Sequence, residues 1–199
     1  MEITAEKIMQ QLSAGTQVAG VIAVFGEEGY YKDKIAAALP RAVFGDAAPE
    51  DREITVFERD MDIKEISAAV NTYPFFSGRS LVIIKDEKLW GGKDGGEKRK
   101  QQQEELAELL ADVPEHCQVL LLGEKIDKRG KLYKSLLKTA AMVECKSLKS
   151  YQLKPWLDEQ AALRGCRFDY EASQTIMEYL SVTDNAPLLL LEQIGRAHV

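Results

Sequence analysis

The stretch VIAVFGEEGYYKDKIAAAL, residues 21–39, decides how the rest of the chain is read. Its first five residues are apolar and rich in β-branched side chains, too short a run for a helix and suited to a strand buried on both faces. Gly26 and Gly29 punctuate the turn that follows. From residue 32 to 44, KDKIAAALPRAVF returns apolar side chains at three- and four-residue spacing, so a helix comes next.

The same alternation recurs outward from this unit. QVAGVIAVF (17–25), REITVFE (52–58), RSLVIIKD (79–86), CQVLLLG (117–123) and AAMVECK (140–146) read as strands. DIKEISAAVNTY (62–73), EELAELLADV (104–113) and KLYKSLLKT (131–139) read as the helices between them. Strand and helix in strict turn imply an α/β fold, a five-stranded parallel sheet with helices on both faces. Beyond residue 146 the strands cease, and YQLKPWLDEQAALRG (151–165) and YEASQTIMEYLSV (170–182) are both helical. The expected organisation is an α/β domain over 1–148 and a small all-α domain over 149–193, incomplete if the chain is cut short. The terminal IGRAHV, 194–199, has no amphipathic logic and is expected to be a non-native tail, a frayed terminus being the alternative. WGGKDGGEKRKQQQEE (90–105) reads as an exposed loop turning helical toward Glu104, either solvated or a basic interaction site.

Composition excludes several classes. In 199 residues, 45% hydrophobic and 29% charged, no apolar run approaches the length of about 20 that crosses a bilayer. The opening MEITAEKIMQQL lacks the apolar segment of a secretory signal, so no membrane and a cytoplasmic location are expected. Cys117, Cys145 and Cys166 form no C-x-x-C pair and read as reduced structural thiols. With His116 and His198 the sole histidines, neither a catalytic triad nor a histidine metal site can be assembled. No catalytic residue, metal or cofactor is expected. A net charge of −6 argues against a uniformly basic nucleic-acid binder while leaving room for local patches.

Strand, glycine turn and helix are also the parts of a phosphate-binding loop, which needs G-x-x-x-x-G-K-[ST]. Here the turn reads Gly26-Glu27-Glu28-Gly29-Tyr30-Tyr31-Lys32-Asp33, with wrong glycine spacing, a late lysine and no hydroxyl. A carboxylate about 4 Å from a phosphate charge repels it by roughly 4 kcal/mol at an effective dielectric near 20. The positive N-terminus of the next helix suits Glu27 and Glu28 instead, so the chain can fill its own anion site. Asp86 and Glu87, closing LVIIKDE, resemble a magnesium-binding strand end, yet without a phosphate loop they have nothing to act upon. These five residues, Gly26, Glu27, Glu28, Asp86 and Glu87, read as degenerate remnants of a nucleotide site.

Taken in order, VIAVFGEEGYYKDKI, NTYPFFSGRSLVIIKD (71–86), EKIDKRGKLYKSLLKTAAMVECKSLKSYQLKPWL (124–157) and the helical region after them resemble the delta subunit of bacterial DNA polymerase III, over nearly the whole chain. The resemblance implies an AAA+-like domain of P-loop NTPase type without a working phosphate loop. It also implies a clamp-loader subunit that grips the beta sliding clamp and holds one ring interface open for loading on primed DNA. Such a subunit does not hydrolyse ATP itself, although it belongs to a DNA-directed DNA polymerase holoenzyme, a nucleotidyltransferase complex. The implied partners are the clamp, the ATPase subunits, delta prime and, through the complex, primed DNA.

By the same resemblance Phe75 and Phe76 occupy the apolar pair that inserts into the clamp, with Pro74, Ser77 and Arg79 as supporting contacts. Read from residues alone, such a pair before a strand is core more often than contact. The basic run Lys125, Lys128, Arg129, Lys131, Lys134 and Lys138 is either a contact to DNA phosphates or the solvated face of a helix whose core side holds Leu132, Leu136 and Leu137. Delta subunits resembling this chain continue into a third, ring-forming domain, so a C-terminal truncation is expected. The alternatives are a divergent nucleotide-binding ATPase and a generic α/β interaction domain.

Overall fold

The computed structural model describes residues 1–15, 18–58, 62–85, 96–182 and 188. The chain divides into two compact units, Met1–Glu27 with Tyr31–Cys145, and Glu28–Tyr30 with Lys146–Val199. Along the described residues run α1 (Ala5–Ser13), β1 (Val21–Phe25), α2 (Gly29–Phe44), β2 (Glu53–Glu58), α3 (Ile63–Asn71), β3 (Ser80–Lys85), α4 (Gly96–Leu109), β4 (Cys117–Gly123), α5 (Lys131–Thr139), β5 (Ala141–Glu144), α6 (Ser150–Leu163) and α7 (Tyr170–Val182).

The first unit is built on a five-stranded sheet in the order β2-β3-β4-β1-β5. All neighbours are parallel, with Val21 opposite Val119, Ile22 opposite Ala141, Ser80 opposite Cys117 and Glu53 opposite Ser80. β1 therefore lies between β4 and β5 and is buried at all five positions. The period-two alternation of a strand divides its side chains between two cores. Val21, Ala23 and Phe25 join Ile66 and Val70 of α3, Leu106 of α4 with Leu110 just after it, and Leu132 and Leu136 of α5. Ile22 and Val24 point the other way, into the cluster that holds Ile8 and Leu12 of α1 and Ile35 and Leu39 of α2. β2 is an edge strand with Ile54 and Val56 exposed.

Helix α1 carries no counterpart in the sequence reading above. Thr4 caps it by accepting the Lys7 N–H at 3.3 Å, and the residues before it attach to β5, where Ile3 N–H donates to the Met142 carbonyl at 2.9 Å. The first strand begins at Val21 rather than residue 17, and α4 begins at Gly96 because KRKQQQEE consists of good helix formers. In the second unit, α6 buries Leu153, Trp156, Leu157 and Ala161. There the Tyr30 ring meets Trp156 edge-on at 5.3 Å, and its hydroxyl lies 3.2 Å from Gln160 Oε1. Asp86, Glu87 and the 194–199 tail lie outside the described residues.

Candidate functional site

The segment between α3 and β3 presents the most exposed aromatic pair of the first unit. α3 stops at Asn71 as Thr72 N–H closes on the Ala68 carbonyl at 2.9 Å, and Pro74 denies helical geometry to Tyr73. Pro74 is buried and Arg79 is exposed. Ser77 Oγ donates to the Arg79 carbonyl at 2.7 Å, and Gly78 takes φ 66°, a left-handed turn that favours glycine. Between these ties Phe75 and Phe76 stand 87% and 67% exposed, so the core reading of the pair does not hold. Their rings meet edge to face at 5.1 Å and 80°.

Two contacts in this region escape sequence reasoning. Glu53 Oε1, at the start of β2, accepts the backbone N–H of Phe75 at 2.7 Å and of Phe76 at 3.1 Å. Tyr73, itself exposed, packs edge-on against the His116 ring at 5.1 Å. Both arise because β2, β3 and β4 start side by side, which no local pattern reports. His116 immediately precedes β4, and its carbonyl accepts the Ser80 N–H at 2.9 Å.

The glycine turn after β1 is closed by its own chain. Gly26 has φ 131°, and a Cβ there would lie 2.0 Å from the Cys145 carbonyl oxygen, so this turn is packed onto the residue after β5. Lys32 Nζ donates to the Gly26 carbonyl at 2.8 Å, and Glu27 faces Lys125 at 3.9 Å. In the second unit, buried Glu28 accepts the Tyr30 N–H at 2.9 Å and caps a donor that a phosphate would otherwise use. Glu28, and not Glu27, thus occupies the anion position at the start of α2.

The basic run 125–134 is exposed and largely paired. Lys128 meets Glu144 at 2.9 Å, Lys131 meets Glu104 at 2.8 Å and Arg129 faces Asp127 at 3.6 Å. The bond to Glu144 holds the Lys128 ammonium above its ordinary pKa. Beside it, burial first and then the 3.0 Å bond to Glu2 push the Tyr133 phenol up. Burial likewise raises the Cys117 thiol, partly offset by Ser80. Leu132 and Leu136 fill the core side of α5, and Leu137 packs partly buried against the same cluster. Among the described residues no three acidic, cysteine or histidine side chains gather as a metal site.

This fold has known counterparts. The chain is 30% identical over 135 residues to the DNA polymerase III subunit delta of Bacillus subtilis (strain 168), an overlap of 66% of this chain and 39% of that protein. The solved structure of the Bacillus subtilis DNA clamp loader delta protein matches with a TM-score of 0.69 at 24% identity, covering 86% of this chain and 51% of the other, a likeness of fold. The chain thus spans well under two thirds of either relative's length. The model of the family described as DNA polymerase III, delta subunit, matches residues 25–146, more than half of the sequence, and the chain belongs to that family.

Proposed function

We propose that this chain is the clamp-binding part of a clamp loader, gripping the beta sliding clamp through Phe75 and Phe76 and helping to hold one ring interface open for loading on primed DNA. The observation that carries the reading is the exposed pair itself: two adjacent phenyls, 87% and 67% in solvent, on a loop tied at both ends. Burying each ring in a partner pocket is worth about 1.5–3 kcal/mol, enough for two to anchor an interface. Ser77 and Arg79, with the buried Pro74, are the supporting residues beside the pair.

The subunit acts without hydrolysing ATP itself and works with the ATPase subunits and delta prime in the cytoplasm. Support for the first point comes from Gly26 packed on Cys145, Lys32 spent on the Gly26 carbonyl and Glu28 on the Tyr30 N–H. Primed DNA reaches the subunit through the complex. Lys125, Lys128, Arg129, Lys131 and Lys134 are the candidates for phosphate contact, since exposed ion pairs are worth little and exchange readily. Among the described residues no helix is long and apolar enough to cross a membrane.

Binding of the chain to an immobilised bacterial beta clamp, compared with Phe75→Ala/Phe76→Ala, tests the reading. A loss of about tenfold or more, roughly 1.4 kcal/mol, is expected. Equal binding by a folded double variant would move the contact elsewhere. Magnesium-ATP binding that Lys32→Ala abolishes would favour a divergent ATPase instead.

A further inference from the structure

The two phenylalanines are held out by a residue that lies 22 positions earlier in the chain. Glu53 opens β2, the edge strand, and pairs in register with Ser80, the first residue of β3. The loop that carries Phe75 and Phe76 runs directly into that residue, which brings the Glu53 carboxylate beneath it. One oxygen, Oε1, then accepts two successive backbone N–H groups, at 2.7 and 3.1 Å. Consecutive amide hydrogens converging on one point make a small anion-binding concavity, and here the anion is supplied by the protein. Hydrogen bonds to an ionised carboxylate are about twice as strong as those between neutral groups.

Without Glu53 these two N–H groups would have water as their acceptor. The other ties of the segment lie outside the pair: Thr72 on Ala68, Tyr73 on His116, and Ser77 on Arg79. Among the described residues, Glu53 is the side chain whose hydrogen bonds reach the backbone of both phenylalanines. Two rings that meet edge to face and project into water bury little of their own surface, so their backbone must be set by something polar.

We infer that Glu53 is a positioning residue for the clamp contact, fixing the Phe75–Phe76 backbone so that both rings are presented before the partner arrives. The inference rests on the clamp-binding reading of the pair. It makes Glu53 matter through preorganisation: a loop ordered in advance spares the complex the entropy of ordering it on binding. Glu53 need not touch the clamp at all.

The test uses the whole chain with Glu53→Ala, Glu53→Gln and Phe75→Ala/Phe76→Ala, each first shown to be folded. Two readouts are taken, affinity for the beta clamp and the amide proton shifts and exchange rates of residues 75 and 76. Glu53→Ala should weaken clamp binding by roughly five- to tenfold, as expected for losing the order of one or two side chains. It should also move both amide protons upfield and speed their exchange, while amides of β3 and β4 stay put. Glu53→Gln keeps an acceptor oxygen at the same reach and should restore binding to within about threefold of the native chain. Wild-type affinity in Glu53→Ala, alongside a weakened double phenylalanine variant, would overturn the inference. So would unchanged amides at 75 and 76. If the double variant binds normally, the Phe75–Phe76 contact fails and the role of Glu53 in clamp binding fails with it, while the amide shifts separately report whether Glu53 fixes the loop.

Discussion

Gly26 and Cys145 touch backbone to backbone: a Cβ on Gly26 would lie 2.0 Å from the Cys145 carbonyl oxygen and 2.9 Å from its nitrogen. The Cys145 N–H in turn donates to the Phe25 carbonyl at 2.6 Å, so the turn after β1 is sealed against the residue that follows β5. Gly26→Ala must therefore both clash and strain a φ of 131°. A loss of stability above about 3 kcal/mol is expected in urea unfolding, and a variant with native stability would show that the turn can open.

Glu28 and Glu27 stand side by side in sequence with unequal work. Removing the buried cap with Glu28→Ala should cost about 1 kcal/mol, since the Tyr30 N–H loses its acceptor. Glu27→Ala breaks only an exposed 3.9 Å pair with Lys125 and should change stability by less than about 0.5 kcal/mol. Denaturation midpoints of the two variants, compared at the same ionic strength, decide the order.

High pH should unfold the chain through groups that the native state keeps protonated. Cys117, Tyr133 and Lys128 all have raised values in the fold. Each contributes stability that is complete below its unfolded value and is lost as pH rises through the folded one, so melting temperatures should fall from about pH 9 upward. In a titration followed by phenolate absorbance, Tyr133 should ionise above the ordinary tyrosine range, and Tyr133→Phe should remove that component. A Tyr133→Phe chain with an identical titration curve would contradict the assignment.

Replacing Phe75 and Phe76 by alanine should leave stability within about 0.5 kcal/mol, because exposed side chains away from packing or caps contribute little. Leu136→Ala, fully buried on α5, should by contrast lose about 2–5 kcal/mol. Thermal melts of both make the loss of clamp binding expected of the first under the proposed function interpretable as a surface effect.

The alternation of strand and helix was readable because each strand is a run of apolar, often β-branched residues bounded by polar turns. β4 and α5 even have the bounds that their sequences suggest, Cys117–Gly123 and Lys131–Thr139. The turn at Gly26 was readable as a glycine turn from its residue types alone, whereas its packing onto Cys145 was not. What the pattern could not report is tertiary. Helix α1 was missed because TAEKIMQQLS offers a short amphipathic face whose partners include Ala141 and Val143 on β5, far along the chain. The same holds for Glu53, an ordinary charged residue at a strand start until β2 and β3 align and place it under Phe75. Exposure of the phenylalanine pair likewise depends on where the sheet begins, not on the dipeptide.

The position of β1 in the sheet has a consequence in time. Its neighbours are β4 and β5, and Val21 waits for Val119, about a hundred residues downstream. At the roughly 5–20 residues per second of bacterial synthesis, the most apolar strand of the chain spends about 5–20 seconds on the ribosome without a partner. β2 and β3, by contrast, can pair soon after they emerge. The nascent sheet thus grows from its β2 edge, gains its centre with β4 and its far edge with β5, so the interval before Cys117–Gly123 is made is when VIAVF is most open to a chaperone or to misassociation.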